Sequence, residues 1–467
     1  MNAGPSRSRT LNREGGQPIT LVGAGLAGAL LAVLLAQRGI EVRVFERNPD
    51  PRQGGAPGGR SINLALAARG RHALRRAGLL EAVDAFTLPM GGRMMHSEWG
   101  ELTRQPYGAT EDEVIWSVHR SRLNRLLLDA AEESGRVELN FDHELERVDW
   151  PGSELVFKDG KRVPFAVALG TDGAGSALRR AMNGTEDLGV SEELLDHGYL
   201  ELTVPPTTQA TFALDPTALH IWPRGGFMMI ALPNDDRSFT GTLFLPRTGD
   251  VSFERLGDWL HQEDFFRLHF PDALPLLPRL REDFLEHPVG LLGTVRCRRW
   301  HVGGRALVLG DAAHAIVPFH GQGMNAAFED CVALVDLLAP GLPDSEAGWS
   351  HLFERFEAER RPQANAIADM ALENYGVMRA AVRDPGFLLR KRLEHELERR
   401  HGDRFVPRYS LVMFHRGPYA EAYRRGEIQA EILDRLLDGV GTLEEVDFEA
   451  AARMITGRLE PIYTPAD

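Results

Sequence analysis

Residues 19–36, ITLVGAGLAGALLAVLLA, run for eighteen positions without a charge. That length is close to a membrane span. Gly23, Gly25 and Gly28 interrupt the run at the spacing G-x-G-x-x-G, and it lies too late and too poorly flanked for a signal peptide. A buried strand (Ile19–Val22), a tight turn, a buried helix (27–38) and a second strand (41–45) accommodate the glycines. Such a βαβ unit commits the chain to a parallel sheet covered by helices. No other run approaches a span, the C-terminal end included, so a soluble chain without a membrane anchor is expected.

The glycines divide the work of a dinucleotide site. Gly23 makes the turn, Gly25 lets backbone approach a pyrophosphate, and Gly28 packs helix on strand, with Leu26 and Ala27 between them. Glu46 closes the second strand and can accept hydrogen bonds from a ribose diol; Arg47 follows it. Two more strand–turn junctions stand far along the chain, GTDGAGS (170–176) and GDAAH (310–314). Asp172 and Asp311, each expected to close a strand, can hold ribityl or ribose hydroxyls. A helix beginning near Met324, behind Gly321 and Gly323, can aim its positive end at the pyrimidine edge of a flavin. Alone, GDAAH is an ordinary capped turn. The three junctions together are more than a simple NAD site needs, and they favour FAD.

The remaining texture organises the chain. Segments such as ALHIWP, FMMIALPN and SFTGTLFLP read as an antiparallel sheet, and from about 350 onward the pattern is mainly helical. PGLPDSEAGWS (340–350) reads as a loop between helices. The expectation is an α/β protein: a Rossmann-like FAD-binding domain, an inserted antiparallel β-sheet substrate domain and a C-terminal helical region. Its boundaries are a mobile tail at 1–17, first parts of the FAD domain at 18–190 with a substrate-domain excursion at about 80–110, the sheet at 191–288, the last part of the FAD domain at 289–385, and the helical region at 386–467. The net charge of −14, without a basic block, argues against a nucleic-acid partner. Two cysteines, Cys297 and Cys331, without metal-type spacing, fit a reducing cytoplasm.

G-x-G-x-x-G, a middle D-G turn and a late GDAAH followed by PFHGQGMN together resemble the single-component FAD-dependent aromatic hydroxylases of the para-hydroxybenzoate hydroxylase type. The stretches GGRSINLALAARGRHALRRAGL, QPYG, HIWPRGGFMMIALPN, SFTGTLFLP, VPFHGQGMNAAFEDC, ALENY and RFVPRYS are similar, more narrowly, to its kynurenine-hydroxylating branch, from about residue 18 to about 430. Some members carry a membrane-anchoring tail, and none is expected here.

The resemblance implies non-covalent FAD, NADPH as co-substrate without a second Rossmann unit, and O₂ activated as a flavin C4a-hydroperoxide. It implies L-kynurenine as substrate and no metal, because the aryl amine activates the ring carbon beside it. Carried over by motif, Arg93, Tyr107, Asn374 and Tyr409 are expected to bind the amino-acid head, Arg supplying a fork matched to carboxylate. Ile115, Leu219, Met228, Ile230, Leu232, Phe244 and Met378 are expected to wall the ring. Residues 228, 230 and 232 also alternate as one face of a strand does, which is equally the pattern of a plain sheet core. Pro318, Phe319, His320 and Gly321 are expected at the flavin edge, His320 as a hydrogen-bonded wall rather than a base, with no conventional catalytic residue assigned. Arg60, Arg120, Leu145, Gly323, Met324 and Asn325 match cofactor-contacting positions.

The nearest rival reading is a hydroxylase of the same fold acting on a phenol, which would have no amino-acid head for Arg93 and its partners to hold. A flavin-bound sensor without turnover is the alternative from another class. A homodimer is the assembly entertained.

Overall fold

Strands from five distant stretches make one six-stranded sheet in the order His301–Val302, Ala306–Val308, Ala168–Gly170, Ile19–Val22, Val42–Phe45, Val137–Asn140. All neighbours are parallel except the first pair. Thr20 faces Ala168 on one side and Arg43 on the other, so the first strand is central. Its following helix, Leu26–Gln37, is apolar all round because it is enclosed all round. It packs on the sheet and on the helices Arg120–Glu133 and Gly323–Leu337. The computed structural model describes residues 17–53, 63–380 and 385–462, without side chains for 377–385 and 387. The expected tail at 1–16, Arg60 and the side chain of Met378 lie outside the described residues.

A second sheet of seven strands runs in the order Gly290–Arg296, Ser191–Val204, Phe239–Pro246, Met228–Pro233, Ala218–Pro223, Gly92–His96, Leu102–Pro106. It departs from the purely antiparallel expectation at one place: Ala218–Pro223 pairs with Gly92–His96 in parallel, Leu219 opposite Arg93. The excursion early in the chain enters the sheet beside a strand that runs the same way. Alternation then sorts the two faces. Met229, Ala231, Leu243 and Leu245 join a core with Phe265, Phe266 and Phe270 of the helix-rich stretch behind the sheet. Met228, Ile230, Leu232 and Phe244 point to the opposite side.

The long helix Glu346–Ala380 begins inside the stretch read as a loop. Ser345 is the reason: its Oγ accepts from the Gly348 N–H at 3.2 Å and its carbonyl from Trp349 at 3.0 Å, an N-cap followed by a first-turn acid. Among the described residues four more α-helices follow, Pro385–His401, Arg408–Met413, Tyr419–Leu437 and Phe448–Arg458. The first, third and fourth share a small core around Leu393, Phe405, Ile432 and Ile455.

Candidate active site

One cavity of about 1350 Å³ reaches from the turn at Gly23 to Tyr409. It exceeds the range of roughly 300–1,000 Å³ usual for single small-molecule pockets, and so has room for a dinucleotide and a second ligand.

The nucleotide half is built on the six-stranded sheet. Gly23 has φ +103°, and a Cβ there would lie 2.6 Å from the Thr171 carbonyl oxygen. A Cβ on Gly28 would run into the carbonyl oxygen of Gly23, whereas one on Gly25 would meet nothing within 4 Å. The three glycines thus serve turn, open approach and helix packing in turn. Glu46 is fixed by accepting from Ala24 N at 2.9 Å and from Asn48 Nδ2 at 2.7 Å. Leu26, Ala27, Arg47, Arg120, Leu145, Asp172, Asp311, Gly323 and Met324 line the same half.

Asp311 is exposed to the cavity at the start of a one-turn helix, Asp311–His314, and its carboxylate has no partner among the described residues. It begins a turn, where it was expected to close a strand. The helix Gly323–Leu337 starts beside it, with a hypothetical Cβ of Gly323 4.0 Å from Asp311 Oδ1. An open glycine turn, an acid that can take a ribityl hydroxyl and a helix N-terminus suit the diphosphate, ribityl and pyrimidine ends of FAD respectively.

Two expected contacts have other employment. Asp172 accepts from Ser176 Oγ at 2.5 Å and from Ala177 N at 2.7 Å, so its carboxylate caps its own turn, and burial pushes its pKa up. Asn325 is fully buried: Oδ1 accepts from Ala67 N at 2.9 Å, while Nδ2 donates to Ala65 and Gly321 at 2.8 and 3.0 Å. Its side chain ties the helix start to the strand Asn63–Leu66 instead of lining the cavity.

The other half is walled by the seven-stranded sheet. Ile115, Leu219, Met228, Ile230, Leu232 and Phe244 all line it, along with Tyr107, Tyr409 and Arg93. The Arg93 guanidinium carbon lies 4.7 Å from the Tyr409 ring centre and 5.5 Å from that of Tyr107, and those rings stack at 5.8 Å. No carboxylate pairs with Arg93 among the described residues, and its Nε is buried without a hydrogen-bond partner. Burial raises the Tyr107 pKa, so its phenol stays neutral and able to donate.

Asn374 is not in this wall. It donates from Nδ2 to the Phe319 carbonyl at 2.6 Å, behind the loop Pro318–Gly321. His320 in that loop stacks on Tyr409 at 5.4 Å. Its Nδ1 is buried without a hydrogen-bond partner. Burial, with Arg408, Arg93 and Arg69 nearby, pushes its pKa down to about 3. A neutral imidazole results. Met90, Tyr199, Thr242 and Met413 also line this half and were not anticipated. Thr242 was open to detection, as it shares the alternation of Phe244 on one strand.

The family profile described as FAD binding domain matches residues 17–371. The chain is 51% identical over 453 residues, 95% of its length and 97% of the relative's, to kynurenine 3-monooxygenase of Xanthomonas axonopodis pv. citri (strain 306). It is 49% identical to kynurenine 3-monooxygenase of Stenotrophomonas maltophilia (strain K279a), over 94% of this chain and 97% of that one. Among solved structures, 2-methyl-3-hydroxypyridine-5-carboxylic acid oxygenase superposes with TM-score 0.64 at 20% identity, over 80% of this chain and 95% of that one. PqsL of Pseudomonas aeruginosa, solved with 2-aminobenzoylacetate, superposes with TM-score 0.61 at 22% identity, over 78% and 96%. These two bear on the fold alone. With a glycine cradle, a flavin-sized cavity and half its residues shared with such relatives over nearly their full length, the chain belongs to the FAD binding domain family and, within it, to the kynurenine 3-monooxygenases.

Proposed function

We propose that this chain hydroxylates L-kynurenine to 3-hydroxy-L-kynurenine, using FAD, NADPH and O₂. One observation carries the substrate: Arg93 is a cation without a carboxylate partner among the described residues, flanked by two tyrosines, in a largely apolar chamber continuous with the nucleotide half.

When bound and reduced by NADPH, FAD supplies activated oxygen at the chamber's edge. The chain's own residues bind, orient and exclude water. Gly23, Gly25, Glu46 and Asp311 would hold the cofactor, and Arg47, Arg120 and Leu145 would line its adenosine end. Arg93 takes the substrate carboxylate through a planar fork, with the phenols of Tyr107 and Tyr409 adding neutral hydrogen bonds. Met228, Ile230, Leu232, Phe244, Ile115 and Leu219 hold the aromatic ring flat. The substrate's aryl amine makes the adjacent ring carbon electron-rich, so no protein base is required at the oxygen-transfer step. His320, kept neutral, and Phe319 close the flavin edge against water.

A hydroxylase for a simple phenol would leave the half-buried Arg93 guanidinium facing a ligand with no anion to pair with it. The reading extends to a reducing cytoplasm, which the two buried, unpaired cysteines suit, and to a homodimer, which light scattering would decide. Among the described residues no helix is long and apolar enough to cross a membrane. The test is purified protein with FAD, NADPH and kynurenine in air, the product identified by mass. Formation of 3-hydroxykynurenine in step with NADPH oxidation is expected; NADPH oxidation without it would defeat the proposal.

A further inference from the structure

Arg69 is 2% exposed and sits on the helix Ala68–Arg76, outside the cavity. Its guanidinium engages three separate elements. Nη1 donates to the Val412 carbonyl at 2.5 Å, and Nη2 donates to the Gly417 carbonyl. Nε lies 3.3 Å from Glu329 Oε1, on the helix that begins at the flavin edge. The guanidinium carbon stands 3.8 Å over the ring of Tyr419.

The chain of contacts closes on the active site from both ends. Tyr419 donates from its hydroxyl to Gln322 Oε1 at 2.7 Å, and Gln322 Nε2 donates to Met413 Sδ at 2.9 Å. Gln322 adjoins the flavin-edge loop, and Met413 lines the cavity. Glu329 also receives Arg360 at 2.7 Å. Arg360 holds Asp330 at 2.8 Å, and Asp330 accepts from Gly310 N at 3.0 Å and meets His314 at 2.5 Å.

We propose that Arg69 is a positioning residue for the substrate: it pins residues 408–417 against the flavin-side helix, so that Tyr409 stands beside Arg93 and the amino-acid head is gripped. This rests on the substrate reading above. Tyr409 and Val412 lie three residues apart on the six-residue helix Arg408–Met413, one turn from each other. Such a helix has few internal hydrogen bonds, and its terminal carbonyls need outside donors. Arg69 supplies one to Val412 and another to Gly417 beyond the helix end. Only a fork reaches two carbonyls and a carboxylate at once; lysine can keep the pair with Glu329 but not both carbonyls.

The test compares the flavin-loaded parent with Arg69→Lys, reading flavin content, the kynurenine Kd from the flavin spectrum, and KM and kcat separately. Arg69→Lys is expected to keep its flavin, to raise Kd and KM for kynurenine by about tenfold or more, and to hold kcat within about twofold. A flavin-loaded variant with parental KM would overturn the proposal, as would loss of flavin, or a fall in kcat at constant KM. Should Arg69→Lys not fold, Tyr419→Leu carries the test. By removing the ring beneath the guanidinium it is expected to raise KM about threefold, and an unchanged KM overturns the proposal. A parent whose flavin spectrum ignores kynurenine would instead overturn the substrate reading, and this inference with it.

Discussion

Arg93 and Tyr409 stand 4.7 Å apart, guanidinium carbon to ring centre, although one lies on a strand of the seven-stranded sheet and the other on a short helix far along the chain. Neither element alone makes this pair. The pair exists only where the helical region meets the sheet, with Tyr107 on the far side of the guanidinium at 5.5 Å.

Arg93→Met keeps the bulk of the side chain and removes the charge. Two charge-assisted hydrogen bonds to the substrate carboxylate are worth on the order of 1.5–3 kcal/mol each before non-additivity. The expected outcome is a KM for kynurenine raised by about one to two orders of magnitude, with flavin content unchanged. Steady-state kinetics and the flavin absorbance of the same preparation check it; colourless protein would move Arg93 to the cofactor site.

Gly28→Ala places a methyl group against the Gly23 carbonyl and the Thr171 hydroxyl, neither of which is the free end of a flexible chain. The turn has to open, and the expected result is a folded chain with little bound FAD. Absorbance at the flavin band beside a thermal melt distinguishes this from general unfolding. Full FAD occupancy would mean that the turn tolerates the methyl group.

For Asn374→Ala, the two roles open to this residue give opposite outcomes. As the anchor of the Phe319 carbonyl, its loss frees the flavin-edge loop by about 1 kcal/mol. Product formed per NADPH consumed then falls, while the kynurenine KM stays within about threefold. A KM raised tenfold with full coupling would return Asn374 to the substrate contacts expected from its motif.

Glu398, on the helix Pro385–His401, is 8% exposed, and its Oε2 is buried without a hydrogen bond. Burial first, then Glu113 and Glu394, push its pKa up from 4.5 to about 7. The folded state therefore holds this proton more tightly than the unfolded state does. Its favourable contribution is complete below pH 4.5 and is lost as pH rises through 7, a swing on the order of 3 kcal/mol. Glu398→Gln is expected to raise Tm at pH 8 and to leave it nearly unchanged at pH 4.5. Melts across that interval check the sign, and parallel curves for parent and variant would contradict it.

The backbone's demands were legible. A glycine at positive φ, a helix enclosed on every side and alternation along Met228–Pro233 each leave a pattern that the chain must carry wherever they occur. The employment of polar side chains was less legible. Asn325 and Asp172 stand in motifs that point to a cofactor, yet each spends its side chain on the protein's own hydrogen bonds. Nothing local tells an amide that reaches a ligand from one that reaches a carbonyl. Arg69 left no signal, because Val412, Gly417 and Glu329 all lie hundreds of positions further on. The start of the long helix was legible in Ser345 and Glu346, and the glycine at 348 obscured it.

The interleaved order of the central sheet has a consequence for biosynthesis. The strand at 19–22 leaves the ribosome first, but its neighbour at 168–170 comes much later, and the strand at 306–308 that completes that side comes later still. Asp311 and the helix beginning at Gly323 follow even those. The nascent chain therefore has no complete pocket until Tyr409 and Met413 have been made, and must shield apolar strand edges through that delay. Cofactor capture therefore waits on the last of these elements to be synthesised.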